Sequence, residues 1–357
     1  MQFSLAFVRF NWCALILIYL IITAGSFVRI SGSGMGCPDW PKCFGSWIPP
    51  TSAKELPANY KEIFLAKRTK KVEKFNRILQ AIGMENTATK LSSDPDIYKE
   101  ESFNATKTWV EYINRLLGFL GGNMLLFGFG WFLLYYRKSR LIWLSALNVI
   151  LIGIEAWFGS IVVATNLLPW TITIHLFLAL VILLIQLYII YRLKQREVQK
   201  IPLPKMDFYI WWFIFGISFY QMFLGTQVRE YIDALSKSGL GRETWSDHFG
   251  MAFFIHRSFS WMVLALLVII AWRNEKNNKI PIIRYAIIVL GFELFAGVML
   301  AYFDMPGLVQ TAHLVFATVL LGILGMGIFR FTIVLRPGGK NRTLLTLISS
   351  KEKIVNV

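Results

Sequence analysis

The sequence predicts an all-α polytopic membrane protein, in which eight transmembrane helices form two four-helix bundles. Three observations predict this fold. The chain of 357 residues is 55% hydrophobic and 16% charged, a composition typical of membrane proteins. It contains eight apolar runs of about 20 residues, the length that crosses a bilayer. The two halves of the chain also repeat one pattern of residues, which indicates a duplicated bundle.

The apolar runs define the predicted spans. They cover residues 12–29, 113–136, 141–165, 169–191, 208–228, 251–272, 282–303 and 309–333. The formal net charge of +16 does not indicate nucleic-acid binding, because the lysines and arginines lie in loops between apolar spans. We therefore expect contact with membrane lipid and no nucleic-acid partner.

Positive charge in the short loops predicts the orientation of the chain. Four lysine- and arginine-rich segments lie on one side of the predicted bundle: 137–140, 192–205, 273–284 and 330–342. We expect this side, and with it both termini, in the cytoplasm. The loop 30–110 also contains many lysines, but loops longer than about 60 residues cross the membrane largely regardless of charge. The N-terminus lacks the pattern of a cleaved signal or a transit segment, which favours the inner (plasma) membrane of a bacterium.

The internal repeat is clearest where residues 155–179 match residues 293–317. Each copy has a glutamate, a glycine four residues later, and a histidine 16 residues after the glycine. These residues are Glu155, Gly159 and His175 in the first copy and Glu293, Gly297 and His313 in the second. Gly25–Arg29 likewise matches Gly225–Arg229. The repeat therefore extends across both halves of the chain.

Four crossings return the chain to its starting side, so the two halves should have the same orientation. We expect a pseudo-twofold axis along the membrane normal to relate them. The predicted segments are the first transmembrane helix (1–29), an extracytoplasmic loop with a disulfide and an amphipathic insert (30–110), the rest of the N-terminal half (111–200), the C-terminal half (201–335) and a cytoplasmic tail (336–357).

A loop rich in glycine and proline follows the first span and contains Cys37 and Cys43. Two cysteines this close on the oxidising side of a membrane predict a disulfide. The bond could be a structural staple or a redox-active pair that passes electrons. Cys13, alone inside the first span, is expected to be an inert core residue.

The polar insert 51–108 has apolar residues at helical spacing. This spacing predicts one or two amphipathic helices on the outer surface. A docking surface or a lid over the site is conceivable for the insert, and a solvated extension is the simpler expectation.

Four polar residues lie at matched depth inside the even-numbered spans: Asn114, His175, His256 and His313. At 1.5 Å per residue they lie about 9 Å below the outer loops. A single membrane histidine is often only a hydrogen-bonding partner between helices. Two histidines facing across a four-helix bundle are instead an axial-ligand arrangement for an iron porphyrin. Zinc is the competing metal, but its usual sites add cysteine or carboxylate ligands.

Arginines beside these positions are further candidates for the site. Arg115 and Arg257 directly follow two of the four polar residues, and Arg29 and Arg229 lie at helix ends. Each arginine could extend to the membrane interface. Each could equally pair with the propionate carboxylates of a porphyrin, so both alternatives stay open.

Glu111 distinguishes the two halves, because Phe253 occupies the matching position in the second half. A carboxylate beside a site at the membrane border can move protons. The half with Glu111 and an incomplete ligand pair suits a reacting substrate, and the half with two histidines suits a permanently held electron carrier. Glu155 and Glu293 occur in both halves and are expected to form hydrogen bonds between helices.

These residues together resemble the heme A synthase family, the cytochrome oxidase assembly proteins of the inner membrane. The matching segments are Gly25–Arg29, the loop with Cys37 and Cys43, Glu111–Arg115, Gly159–His175, Gly225–Arg229, His256–Arg257 and Gly297–His313. They cover all eight predicted spans but not the insert.

The resemblance implies an oxidoreductase that converts the C8 methyl group of heme O to a formyl group by successive hydroxylations. It implies heme b (iron) as the cofactor, heme O as the substrate, and a disulfide in the first loop. The implied residues are His256 and His313 for heme b, Asn114, His175 and Arg115 for the substrate heme, and Glu111 for catalysis. The implied partners are a heme O synthase and the assembly of a terminal oxidase, and a homo-oligomer is left open.

One position departs from the family pattern, which usually has histidine where this chain has Asn114. Asparagine is a poor iron ligand, so either His175 alone holds the substrate iron or another residue takes the vacant place. The alternative function is a membrane b-type cytochrome that only transfers electrons, which would need two complete histidine pairs. A transporter with parallel repeats is a third alternative.

Overall fold

The computed structural model describes residues 2–98, 102–194, 200–241, 244–245, 248–277 and 279–333. The predicted cytoplasmic tail 336–357 lies outside these residues. Within the described ranges, eight helices are long and apolar enough to span a membrane, which confirms the predicted number. The helices are α1 (Leu5–Ile30), α2 (Tyr60–Ala81), α3 (Glu85–Ser93), α4 (Ala105–Tyr135), α5 (Leu141–Ala164), α6 (Pro169–Leu193), α7 (Lys205–Lys237), α8 (Met251–Asn277), α9 (Pro281–Tyr302) and α10 (Gly307–Arg330).

Two spanning helices begin about two helical turns earlier than the hydropathy indicates. Helix α1 begins at Leu5 because the Ser4 side chain caps it by accepting a hydrogen bond from the Phe7 N–H. Helix α4 begins at Ala105, where Asn104 caps it by accepting from the Lys107 N–H at 3.0 Å. Hydropathy detects only the apolar part of a span, whereas capping residues set where the helix begins.

Helix α10 ends at Arg330, earlier than the predicted span 309–333. The next residues form a short strand, β2 (Phe331–Ile333), which pairs in parallel with β1 (Ile201–Leu203). Ile201 lies opposite Phe331 in this pair. The two strands tie the start of α7 to the end of α10 at one end of the second bundle.

The spanning helices contact one another in the same pattern in both halves. In the first half, α1 contacts α4 and α6, and α5 also contacts α4 and α6. In the second half, α7 contacts α8 and α10, and α9 also contacts α8 and α10. The halves meet where α10 packs against α1 and α6 and where α6 contacts α7. This pattern agrees with two four-helix bundles, and the pseudo-twofold axis stays a prediction.

Large apolar side chains lie on the outward surfaces of the bundle. Examples of exposed aromatic residues are Phe119, Trp143, Trp261 and Phe295. Such a surface suits lipid, in which apolar side chains need no cover. Cys13, expected in the core, is also exposed. The expectation was wrong because hydropathy shows that a span is apolar but not which of its faces meets the neighbouring helices.

The insert forms helices α2 and α3, which pack on the ends of α5 and α6. The buried cluster joins Val72 and Leu79 of α2 to Ile161 and Ala164 of α5. The Phe75 ring stacks on Trp170 at the start of α6, with 6.2 Å between ring centroids. The insert is therefore docked on the N-terminal bundle and is not a solvated extension.

Candidate functional site

The four polar residues at matched depth each face a glycine on the preceding spanning helix of the same half. The pairs are Gly25 with Asn114, Gly159 with His175, Gly225 with His256, and Gly297 with His313. A Cβ atom added to these glycines would lie 3.9, 3.2, 3.7 and 3.4 Å, respectively, from the nearest atom of the partner side chain. The glycines therefore let the imidazoles and the amide pack closely against the facing helix. The repeat in the sequence corresponds to one local arrangement built four times.

His256 of α8 and His313 of α10 face each other in the second bundle. Their ring centroids are 6.2 Å apart and their planes are nearly perpendicular, at 84°. A metal–imidazole bond is about 2 Å long, and a ring nitrogen lies about 1 Å from the ring centroid. Two imidazoles on opposite sides of one metal ion therefore have centroids about 6 Å apart. The observed separation fits axial ligation of a single ion by these two side chains.

A glutamate on the neighbouring helix contacts the Nδ1 atom of one histidine in each half. Glu293 Oε1 lies 3.2 Å from His313 Nδ1, and the Glu293 carbonyl oxygen lies 3.1 Å from the same atom. Glu155 Oε1 lies 3.0 Å from His175 Nδ1. A carboxylate at Nδ1 orients the ring and leaves Nε2 for a metal. The sequence analysis expected both glutamates to form hydrogen bonds between helices. The constant offset of each glutamate from a histidine was the signal that its partner is that histidine.

Glu111 and Arg115, one turn apart on α4, hold the cysteine loop. Glu111 is only 2% exposed, and its Oε2 accepts a hydrogen bond from the Cys37 N–H at 2.7 Å. Its other oxygen pairs with Arg115. Arg115 also donates to the carbonyl oxygens of Cys37, Asp39 and Lys42. The structure thus gives Arg115 a role in the protein itself, and its predicted contact with a substrate stays a prediction.

Cys37 and Cys43 form a disulfide, which confirms the pairing. Their side chains belong to the buried core, at 0% and 1% exposure. Thiol–disulfide exchange requires access of a thiolate to a sulfur atom. The burial therefore favours the structural staple over the redox-active pair.

The cysteine loop approaches the backbone of α4 so closely that Gly36 has no room for a side chain. A Cβ atom at this position would lie 2.5 Å from the Lys107 carbonyl oxygen, and the Gly36 carbonyl accepts a hydrogen bond from Thr108 Oγ1 at 2.9 Å. We expect Gly36→Ala to destabilise the protein by about 1–3 kcal/mol, the usual cost of overpacking. Thermal unfolding in detergent measures this change.

Gly118→Ala is the matched control for this substitution. Gly118 lies on α4, the helix that Gly36 approaches, and an added Cβ there would meet nothing within 4 Å. We expect its melting temperature to equal that of the unsubstituted protein or to exceed it, because alanine favours a helix over glycine. Equal melting temperatures for the two variants would show that the loop does not dock tightly on α4.

The predicted propionate-binding arginines have different surroundings. Arg29 of α1 and Arg229 of α7 both contact the carboxylate of Asp233, at 2.5 and 2.9 Å. This carboxylate connects the two halves, and sequence reasoning missed it although Asp233 lies one helical turn after Arg229. Arg257 is exposed and lies over two phenylalanine rings of its own helix. Its guanidinium has no acidic partner among the described residues.

The described residues contain no group of three or more histidine, cysteine, aspartate or glutamate side chains placed to hold a metal ion. His248 precedes helix α8 and is exposed. Its Nδ1 lies 2.9 Å from the Thr244 carbonyl oxygen, away from the facing pair His256 and His313. The facing pair His256 and His313 offers two imidazoles, and its predicted ligation of heme b stays a prediction.

The sequence is similar to those of several bacterial heme A synthases. The chain is 25% identical over 343 residues to a heme A synthase of Wolbachia pipientis from Culex pipiens, a match that covers 87% of this chain and 92% of the relative. A match to a heme A synthase of Shewanella oneidensis is 29% identical over 186 residues and covers 52% of this chain and 44% of the relative. A third, to a heme A synthase of Bradyrhizobium, is 26% identical over 245 residues, with 66% and 59% covered.

A family model covers most of the chain. It describes cytochrome oxidase assembly proteins and matches residues 8–324. This range covers six spanning helices in full, most of α1 and α10, and each of the four glycine-facing polar residues. The chain belongs to the cytochrome oxidase assembly protein family.

Proposed function

We propose that the chain is a heme A synthase, which oxidises the C8 methyl group of heme O to a formyl group. The observation that carries this proposal is the difference between two otherwise matching halves. One half has a facing histidine pair, and the other has one histidine, an asparagine and a buried acid. The names of the relatives support the same activity.

In the second half, His256 and His313 would hold heme b, because their imidazole rings face each other with centroids 6.2 Å apart. Heme b would supply one-electron redox chemistry when bound. Glu293 would keep the His313 ring in place through its contacts with Nδ1. A carrier held on both sides by protein ligands suits electron transfer and not reaction at the iron.

In the first half, His175 would bind the substrate iron, with Glu155 at its Nδ1. Asn114 would occupy the opposite side, and its Oδ1 is buried without a hydrogen-bond partner among the described residues. Leaving a buried acceptor unsatisfied costs free energy, so this oxygen is suited to accept a hydrogen bond from a water molecule or a substrate hydroxyl. Such an arrangement suits a substrate that must react and leave.

Glu111 lies three residues before Asn114 and would accept protons released from the substrate. Each hydroxylation would replace a methyl C–H bond with a C–O bond whose oxygen comes from water, and would release two protons and two electrons. The electrons would leave one at a time through heme b to an external electron acceptor, and two such steps give a gem-diol. Loss of water from the diol gives the formyl group. A positioned carboxylate typically accelerates such proton transfers by about 10²–10⁴-fold.

The test is to express the chain in a bacterial host that makes heme O but lacks its own heme A synthase. Chromatography of the extracted hemes should show heme A, together with heme O and heme b. Heme b without heme A would instead favour a membrane b-type cytochrome. A colourless protein from heme-replete cells would contradict both functions.

The site of action and the partners follow from this proposal. We infer a multi-pass protein of a bacterial plasma membrane with both termini in the cytoplasm. It would receive heme O from a heme O synthase and deliver heme A for the assembly of a terminal oxidase.

Glu293 offers a test of the second-half site that does not depend on turnover. We expect Glu293→Leu to lower heme b affinity by about 10–100-fold, the usual effect of removing a carboxylate behind a ligating histidine. The Glu293 carbonyl contact with His313 remains, so binding should weaken and not vanish. Heme content per protein after detergent washing measures the change.

Glu155→Leu is the matched control, because Glu155 has the same place in the first half. It should leave the heme b content unchanged and weaken retention of the substrate heme. Equal heme b loss in both variants would indicate a general effect on folding and would contradict a specific role of Glu293.

A further inference from the structure

A cavity of about 350 Å³ lies between the insert helix α2 and the spanning helix α5. We call it the lysine groove. Four of its lining residues are lysines and the other four are apolar. They are Lys67, Lys70, Lys71 and Lys74 with Phe75 and Ile78 of α2, and Trp157 and Ile161 of α5.

The lysines follow one another at helical spacing, so they form a stripe along one face of α2. Like charges at this spacing repel and destabilise a helix. Lys67 has a distant acidic partner, Asp39, at 3.8 Å. Lys70, Lys71 and Lys74 have no ion-pair partner among the described residues. The groove therefore presents positive charge that the described part of the protein does not neutralise.

Lys71 shows the effect of this environment. Burial and the nearby Arg115 charge lower the pKa of Lys71 from its ordinary value to about 8, against the opposing effect of Asp39. The Arg115 contribution also means that Lys71 lies within electrostatic reach of the Glu111–Arg115 pair. A bound anion would relieve the repulsion.

The groove adjoins the N-terminal bundle next to the proposed substrate position. Lys67 on its wall lies 3.8 Å from the carboxylate of Asp39, and the Asp39 carbonyl oxygen accepts a hydrogen bond from Arg115, the residue after Asn114. Phe75, also on the wall, stacks on Trp170 at the start of α6, and Trp157 of α5 adds a second aromatic surface. A ligand of the groove should therefore have an apolar, flat surface for these walls and anionic groups for the lysines.

We propose that the lysine groove binds the two propionate carboxylates of the porphyrin substrate where it enters the N-terminal bundle. This inference rests on the proposed function, since it takes heme O as the substrate. An anionic lipid headgroup offers the same anionic oxygens. The porphyrin is favoured because it carries two carboxylates on a flat apolar ring, and because Asp39 connects the groove to Arg115, the residue after Asn114.

The experiment is a titration of the purified full-length protein, in a non-ionic detergent, with iron protoporphyrin IX and with its dimethyl ester. The groove variant carries Lys70→Gln, Lys71→Gln and Lys74→Gln. The control variant carries Lys54→Gln, Lys61→Gln and Lys90→Gln, three exposed lysines of the same insert. Both variants lose the same charge, and absorbance of the porphyrin gives the dissociation constant.

We expect the groove variant to raise the dissociation constant of the dicarboxylate porphyrin at least about 10-fold. The control variant should bind it as the unsubstituted protein does. The dimethyl ester should bind all three proteins equally weakly. A third variant with arginine at the three groove positions should bind normally, which excludes a folding defect as the cause.

An unchanged dissociation constant in the groove variant would overturn the inference. Binding of an anionic lipid in place of porphyrin would also overturn it. After reconstitution in mixed neutral and anionic lipid, the groove variant would then retain less phosphatidylglycerol and keep its porphyrin affinity. The titration does not require turnover. A chain that binds porphyrin through the lysines but makes no heme A would refute the proposed function and leave the groove inference standing.

The pH dependence adds a second readout. Porphyrin affinity should fall as pH rises from 7 to about 9.5, because Lys71 loses its proton across its pKa of about 8. The charged groups that face it are Lys67, Lys70 and Lys74 of α2, Asp39 of the cysteine loop and Arg115 of α4. Lys71→Arg keeps its charge over this range and should lose most of the pH dependence. The same slope in both proteins would exclude Lys71 from the groove's anion site.

Discussion

Replacing either His256 or His313 with alanine should abolish the low-spin heme b spectrum of the purified protein. Two imidazoles on opposite sides of one iron give a six-coordinate, low-spin centre. Each single substitution leaves one imidazole, so any retained heme should become high-spin. Among the described histidines, His256 and His313 are the two whose rings face each other, with centroids 6.2 Å apart. Absorption and electron paramagnetic resonance spectra of the detergent-solubilised protein measure the effect.

His248→Ala is the control for both substitutions. His248 is exposed and contacts the Thr244 carbonyl oxygen, so its loss should leave the spectrum and the heme content unchanged. Low-spin heme at normal content in both single variants would show that the pair does not ligate iron. The proposed redox role of the second bundle would then be wrong.

Much of this site could be predicted from the sequence because the two halves have the same types of residue at the same spacing. The offset of 16 residues between Gly159 and His175 recurs between Gly297 and His313. In the structure each glycine packs against the matching histidine. One such offset would be weak evidence for a contact. Its repetition in both halves, at the same depth in the membrane, predicts residues that face one another.

The contacts that were missed depend on how helices rotate against one another. The sequence showed that Glu155 and Glu293 lie in apolar spans, but not that each carboxylate faces a histidine. Asp233 was missed for the same reason, because it contacts Arg29 from a distant part of the chain. Side-chain direction across two helices is a tertiary property, and the sequence reflects it here only through the constant offset between each glutamate and its histidine.

The insert shows the same limit. Its apolar spacing predicted helices, and α2 and α3 form. The spacing could not show which surface the apolar face covers. Only the packed structure shows Phe75 against Trp170 and the lysine stripe turned toward α5.

Replacing Glu111 should stop heme A formation while the heme b spectrum persists. We expect Glu111→Ala and Glu111→Gln each to lower the yield of heme A at least about 100-fold, the scale of a lost proton acceptor. Heme b should remain, because its proposed ligands lie on α8 and α10 and Glu111 lies on α4. Extracted hemes and the absorption spectrum of the same preparation give both readouts.

The two substitutions also separate proton transfer from anchoring of the cysteine loop. Glutamine keeps an oxygen that can accept from the Cys37 N–H, but it cannot take up a proton at neutral pH. If Glu111 only anchored the loop, Glu111→Gln would retain most activity and Glu111→Ala would lose it. Thr108→Val removes a neighbouring anchor, the hydrogen bond to the Gly36 carbonyl, without removing an acid. Thr108→Val should lower the melting temperature and preserve most heme A formation. A normal yield of heme A from Glu111→Gln would show that Glu111 takes no part in the proton transfer.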